Sequence, residues 1–119
     1  MKNNKILKTF CFDLDNTICN TNNKNYSKSS PDKQVVKLIN SLYNNGHIIK
    51  IYTARYMGRY RDDIKKANQS GYKKTKNQLK KWKIKYHKLF LGKPSSDIYI
   101  DDKSYGYNKS WKKKFLKFT

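Results

Sequence analysis

The chain of 119 residues is predicted to fold as an α/β domain, a parallel sheet with helices packed on it. Three observations carry that prediction. Short β-branched and aromatic runs alternate with longer segments of helical periodicity. The strand runs are apolar almost throughout, as parallel strands covered on both sides are. Each of them ends at a residue capable of chemistry, and in open parallel sheets the ligand site lies outside the carboxyl ends of the strands.

Ile6 to Phe12 reads as the first strand and ends at Asp13. Asn20 to Ser30 is too polar for a core element and reads as a loop or short flap. Ser30-Pro31 looks like an N-cap followed by a first helical residue, and Val35, Leu38, Ile39 and Leu42 fall on one helical face. Asn45-Gly46 stops that helix. His47 to Tyr52 is the second strand, ending at Thr53. A basic helix is expected from about Gly58 to Gln69, then a break at Ser70-Gly71, then a helix opened by the capping box Thr75 to Gln78 that turns Leu79 and Trp82 inward. Lys88 to Leu91 is a third strand before Gly92-Lys93-Pro94, and Ile98 to Ile100 a fourth that runs into Asp101-Asp102. Trp111 to Phe118 reads as a short amphipathic helix docking on the sheet, its lysines solvated and Trp111, Phe115 and Phe118, like Trp82, used for packing.

Length allows one modest core, so residues 1–119 are read as a single domain. No apolar run approaches membrane-spanning length. The basic start, Met1 to Lys5, is followed by no signal-peptide core, which points to the cytoplasm. Cys11 and Cys19 are too few for a disulfide framework or a zinc site; both read as reduced thiols, Cys11 as a small core residue.

Twenty-eight basic residues against eight acidic ones give a net charge of +20. Such a balance is the electrostatic footprint of nucleic-acid binders. Yet only Arg55, Arg59 and Arg61 are arginines, the residue suited to bidentate phosphate and base recognition. A Lys/Asn/Ile/Tyr excess reads better as coding bias. The acidic residues are the opposite case, for all are Asp and half of them form the pairs Asp13/Asp15 and Asp101/Asp102.

Phe12-Asp13-Leu14-Asp15-Asn16-Thr17-Ile18, Ile51-Tyr52-Thr53-Ala54-Arg55, Gly92-Lys93-Pro94 and Tyr99-Ile100-Asp101-Asp102-Lys103-Ser104 resemble the four ordered motifs of the haloacid dehalogenase-like phosphatases. The resemblance spans roughly Ile6 to Ser104, and around Thr53 to Arg55 and Asp101 to Ser104 it is closest to the small capsule or polysaccharide biosynthesis phosphatases of that superfamily. It implies a Rossmann-like core.

Hydrolysis of a phosphate monoester requires a nucleophile, a proton shuttle for the leaving alcohol and compensation for phosphoryl charge. The resemblance assigns Asp13 as nucleophile and Asp15 as general acid and base. The second Asp favours phosphoryl transfer, since superfamily members that cleave carbon–halogen bonds lack it. Two carboxylates facing a phosphate call for a cation, and Mg²⁺ fits. By the same resemblance its ligands are the Asp13 side chain, the Asp15 carbonyl and one of Asp101 and Asp102, with Asp102 favoured as the direct ligand and Asp101 as its support. Thr53 and the N–H of Ala54 are to hold a phosphoryl oxygen, Lys93 to neutralise charge, and Thr17 to brace the loop. Arg55 is a further candidate for phosphate or substrate contact, although alone it reads, like Tyr56, His47 and His87, as a packed or solvated side chain. Singly, the others too read as caps, turns or surface charges; together, in this order, they do not.

Forty residues separate Asp13 from Thr53, and forty more separate Thr53 from Lys93. The elements above consume both intervals, leaving no room for the cap domain that the superfamily inserts there. An open crevice admits a bulky substrate, or a small one closed over by another subunit of a homo-oligomer. The leading expectation is therefore a Mg²⁺-dependent phosphatase of a phosphorylated sugar or polyol in surface-polysaccharide synthesis. Behind it stands a polynucleotide 3′-phosphatase or nucleotidase, favoured by the open site and the charge. A basic nucleic-acid-binding module with idle motifs ranks last, because the Asp13, Asp15, Lys93 and Asp102 set is intact.

Overall fold

A computed structural model of the chain describes residues 6–106, 108 and 110–119; the basic stretch 1–5 lies outside them. Its centre is a parallel sheet of β1 (Thr9–Phe12), β4 (Ile48–Thr53) and β5 (Lys88–Leu91) in the order β1-β4-β5. Phe10 and Phe12 lie beside Ile49 and Ile51, and Ile51 beside Leu89. These side chains, with Thr53 and Leu91, share one face. Helix α1 (Lys33–Asn44) packs on β4 and α2 (Ile64–Lys81) on β5, and both join a single apolar core. The short helix α3 (Trp111–Phe115) covers the β1 side of that face, Trp111 against Phe12 and Phe115 against Phe10. Thr9, Cys11, Ile48, Lys88 and Phe90, on the reverse face, are exposed.

The helices therefore cover one face of the sheet, not two. The uncovered face explains why Cys11, expected in the core, is exposed: it alternates with the buried Phe12 on an edge strand. The first strand is also shorter than its apolar run, since Ile6 and Leu7 lie before the sheet and stay exposed.

In α1 the expected face is the buried one, Val35, Leu38, Ile39 and Leu42, each worth roughly 2 kcal/mol of apolar burial. Its cap is Asp32 rather than Ser30, because the Asp32 carboxylate accepts from the N–H groups of Gln34 and Val35. Ser30–Pro31 instead forms β3, antiparallel to β2 (Cys19–Asn20), and this pair closes a flap that contains Tyr26. Gly46, at φ +94°, turns the chain out of α1 where a side chain would be strained.

Three further expectations give way. Instead of two helices broken at Ser70-Gly71, α2 is continuous; Asp63 caps it, and Thr75 lies inside it. Gly71 is no breaker, because the Tyr56 ring occupies the space its side chain would take: a Cβ there would stand 2.0 Å from a ring carbon. Residues 54–62 form turns, not helix, with Tyr56, Arg61 and Asp62 at positive φ. Finally, no fourth strand forms at Ile98 to Ile100, and Ile98 and Ile100 are largely exposed. Three residues between Asp97 and Asp101 gain too few ladder hydrogen bonds to offset their ordering.

Both histidines have structural roles. His47 accepts the Lys8 N–H at Nδ1 and donates from Nε2 to the Phe118 carbonyl, tying the chain end to β4. His87 stacks on Tyr43 and accepts the Ile49 N–H.

Candidate active site

Parallel register brings the ends of three strands together. Phe12 pairs with Ile51 and Thr53 with Leu91, so Asp13, Thr53 and Lys93 leave the same edge of the sheet. Gly92, at φ +119°, makes the turn that carries Lys93 back, and the Lys93 N–H donates to the Thr53 carbonyl. The three residues border a cavity of about 640 Å³ together with Asp15, Ala54 and Arg55.

Leu14 and Ile18, fully buried, anchor the loop that follows β1, while the N–H groups of Thr17 and Ile18 donate to the Leu14 carbonyl. This tight turn fixes Asp13. Thr17 Oγ1 donates to Asp13 Oδ2 at 3.1 Å, the bracing role expected of it. Lys93 Nζ stands 3.4 Å from Asp13 Oδ1. The Thr53 hydroxyl accepts the Arg55 N–H at 3.2 Å, which leaves its own hydrogen for an acceptor in the cavity.

Arg55 is buried, and its guanidinium is committed to Asp15. Nη2 donates to Oδ1 at 2.8 Å and Nε to Oδ2 at 2.9 Å, a two-point grip that fixes the plane of the carboxylate. Thr21 adds a donor to Oδ1 at 2.6 Å. Nη1 is held by Gln78 Oε1 at 2.7 Å, and Gln78 Nε2 donates to the Tyr26 carbonyl. The arginine also lies over the Tyr26 ring, which packs on Tyr56, over which Arg59 lies in turn. A cation–π–π–cation stack thus joins the flap to the loop after β4. Burial pushes the Tyr26 phenol up, with the Asp15 charge adding to the effect.

Burial likewise raises the Cys19 thiol, beside Asp15 and Arg55. Cys19, Thr21, Tyr26 and Gln78 belong to this site, and sequence reasoning missed them. Only Tyr26 left a signal, as an aromatic in a polar stretch. Gln78 reads in sequence as half of a capping box and in space as the tether of Arg55.

Asp101 and Asp102 do not line that first cavity. They are exposed in the irregular segment after Pro94 and border a second cavity of about 1110 Å³, along β1, that also reaches Asp13 and Lys93. Among the described residues no three Asp, His or Cys side chains are gathered as a metal site. Of the donors expected for Mg²⁺, Asp13 borders both cavities, Asp15 the first alone, and Asp101 and Asp102 the second alone.

A solved structure supports the fold. The chain is similar to a crystal structure of a structural-genomics target protein from Vibrio cholerae, with a TM-score of 0.77 and 25% identity over 93% of this chain and 98% of that one. No family model and no curated protein matches the chain.

Proposed function

We propose that the protein is a phosphomonoester hydrolase of the haloacid dehalogenase-like type, without a cap domain, working through an aspartyl-phosphate on Asp13. The observation that carries this reading is the meeting of Asp13, Thr53 and Lys93 at one sheet edge, with Asp15 two residues on and gripped by Arg55.

In this reading a phosphoryl group enters the cavity between Asp13 and Lys93. One Asp13 oxygen attacks phosphorus, and the bond to the ester oxygen breaks. Asp15 gives that oxygen its proton, and the alcohol leaves. A water then attacks phosphorus, gives its proton to Asp15 and releases phosphate, restoring Asp13. Of the two Asp15 oxygens, Oδ1 meets Arg55 and Thr21 whereas Oδ2 meets Arg55 alone, so Oδ2 is the one left to exchange the proton. The Lys93 ammonium and the Thr53 hydroxyl offset charge on the phosphoryl oxygens. Mg²⁺ is proposed as cofactor from the resemblance alone; Asp13, the Asp15 carbonyl and Asp102 would hold it, and it would offset charge on the phosphoryl oxygens.

The substrate class proposed is a phosphorylated sugar or polyol of surface-polysaccharide synthesis, handled in the cytoplasm. A polynucleotide 3′-phosphatase is the second reading, favoured by the net charge of +20. Phosphate release from a panel of sugar phosphates and a 3′-phosphorylated oligonucleotide, with Mg²⁺ or with chelator, tests both. Turnover abolished by Asp13→Asn and Asp15→Asn supports the mechanism; turnover untouched by them contradicts it. A preference for the oligonucleotide, with binding that falls steeply with salt, selects the second reading.

A further inference from the structure

We propose that the cavity contains, beyond the phosphoryl pocket, a subsite for a second negative group of the substrate, formed by Lys24 and Arg59. This rests on the phosphatase reading and narrows it: the substrate is a phosphate monoester that carries a carboxylate or a second phosphate on the same small scaffold.

The charges of the cavity lead there. Its acidic residues are Asp13 and Asp15, and its basic ones Lys24, Arg55, Arg59 and Lys93. Arg55 is bound to Asp15, and Lys93 is paired with Asp13. Lys24 and Arg59 have no acidic partner among the described residues. An unpaired cation facing a cleft raises the local concentration of anions and gains a charge-assisted hydrogen bond when one binds.

Their placement is built rather than incidental. Asn23 and Lys24 take successive positive φ values, 51° and 58°, where the flap turns over the cavity. The Lys24 ammonium meets the loops from the other two strand ends: a Cβ on Gly58 would stand 3.3 Å from its Nζ and 3.4 Å from Ser95 Oγ. Glycine at 58 leaves the ammonium its space. Arg59 follows at once, its guanidinium 5.1 Å from the centre of the Tyr56 ring. A lysine excess explains stray lysines, but it does not explain why two of the three arginines border this cavity. At about 640 Å³ the space far exceeds what one phosphate needs.

Matched esters test the subsite: glucose 6-phosphate, 6-phosphogluconate and glucose 1,6-bisphosphate differ in the second anion. Turnover is measured with the wild-type chain and affinity by calorimetry with Asp13→Asn. The expected result is a preference of about tenfold, mainly in KM, for at least one of the two doubly charged esters, and which one wins separates carboxylate from phosphate. The preference is lost in Lys24→Ala with Arg59→Ala. It persists in Lys74→Ala with Lys76→Ala, which takes the same charge from the exposed side of α2. Equal treatment of the three esters, or equal loss in the control pair, overturns the subsite. No turnover with the affinity preference retained overturns the phosphatase reading and leaves the subsite standing.

Discussion

The guanidinium of Arg55, 2% exposed, grips the carboxylate of Asp15 at 2.8 Å across forty residues of sequence. In the proposed chemistry Arg55 is a positioning residue, setting where Asp15 meets the leaving group. Replacing it by Ala leaves a partly buried carboxylate without its counter-charge, which costs about 3 kcal/mol of stability, at the low end for a broken pair because Asp15 keeps some solvent. Misplacing Asp15 should also lower kcat by about 100-fold with little change in KM. Arg55→Lys keeps charge but not the fork, so it should recover stability more than kcat. In the Asp15→Glu background, where a carboxylate remains but is already displaced, Arg55→Lys should cost kcat less than it does in the wild type; full additivity in that cycle contradicts the positioning role.

Gly71→Ala isolates the contact between α2 and Tyr56. Helix propensity alone predicts a gain of about 1 kcal/mol. The clash with the Tyr56 ring predicts a loss of about 2 kcal/mol instead, and the clash should win because ring carbons on a packed stack cannot retreat by an ångström. Denaturant unfolding gives the sign. In the Tyr56→Ala background the same substitution should become neutral or stabilising.

Thr75 offers the opposite prediction. Its hydroxyl is buried in α2 and has no hydrogen-bond partner among the described residues. Thr75→Val keeps the shape and removes the unsatisfied group, and should raise stability by about 1 kcal/mol. A loss of stability would mean that the hydroxyl meets a buried water.

Asp32 sets an acid limit on the fold. Burial pushes its carboxyl up, but the Lys112 ammonium and the N–H groups of Val35 and Gln34 outweigh burial and hold it below the usual carboxylate range. With the folded value below the unfolded one, its stabilisation is complete above about pH 4 and disappears as pH falls through the folded value. Asp32→Asn should therefore lower stability at pH 7 and flatten its decline in acid. An unchanged acid profile contradicts the assignment.

Much of the fold was legible in the sequence because it rests on local signals. Val35, Leu38, Ile39 and Leu42 lie four abreast on a helix, and Lys88 to Leu91 forms a strand with the expected bounds. The errors arose where a distant partner decides. Gly71 looks like a breaker until Tyr56 is placed against it, and Thr75 to Gln78 looks like a cap until Gln78 is seen holding Arg55. Asp13, Thr53 and Lys93 could be gathered from sequence because strand ends gather in a parallel sheet. Asp101 and Asp102 were expected at the end of a fourth strand, and a three-residue run does not form it.

The most direct test of the central claim is a crystal structure with beryllofluoride and Mg²⁺. Beryllium should be bonded to an Asp13 oxygen, its fluorines facing Lys93 and Thr53. An unmodified Asp13, with the fluoride complex bound elsewhere, would contradict it.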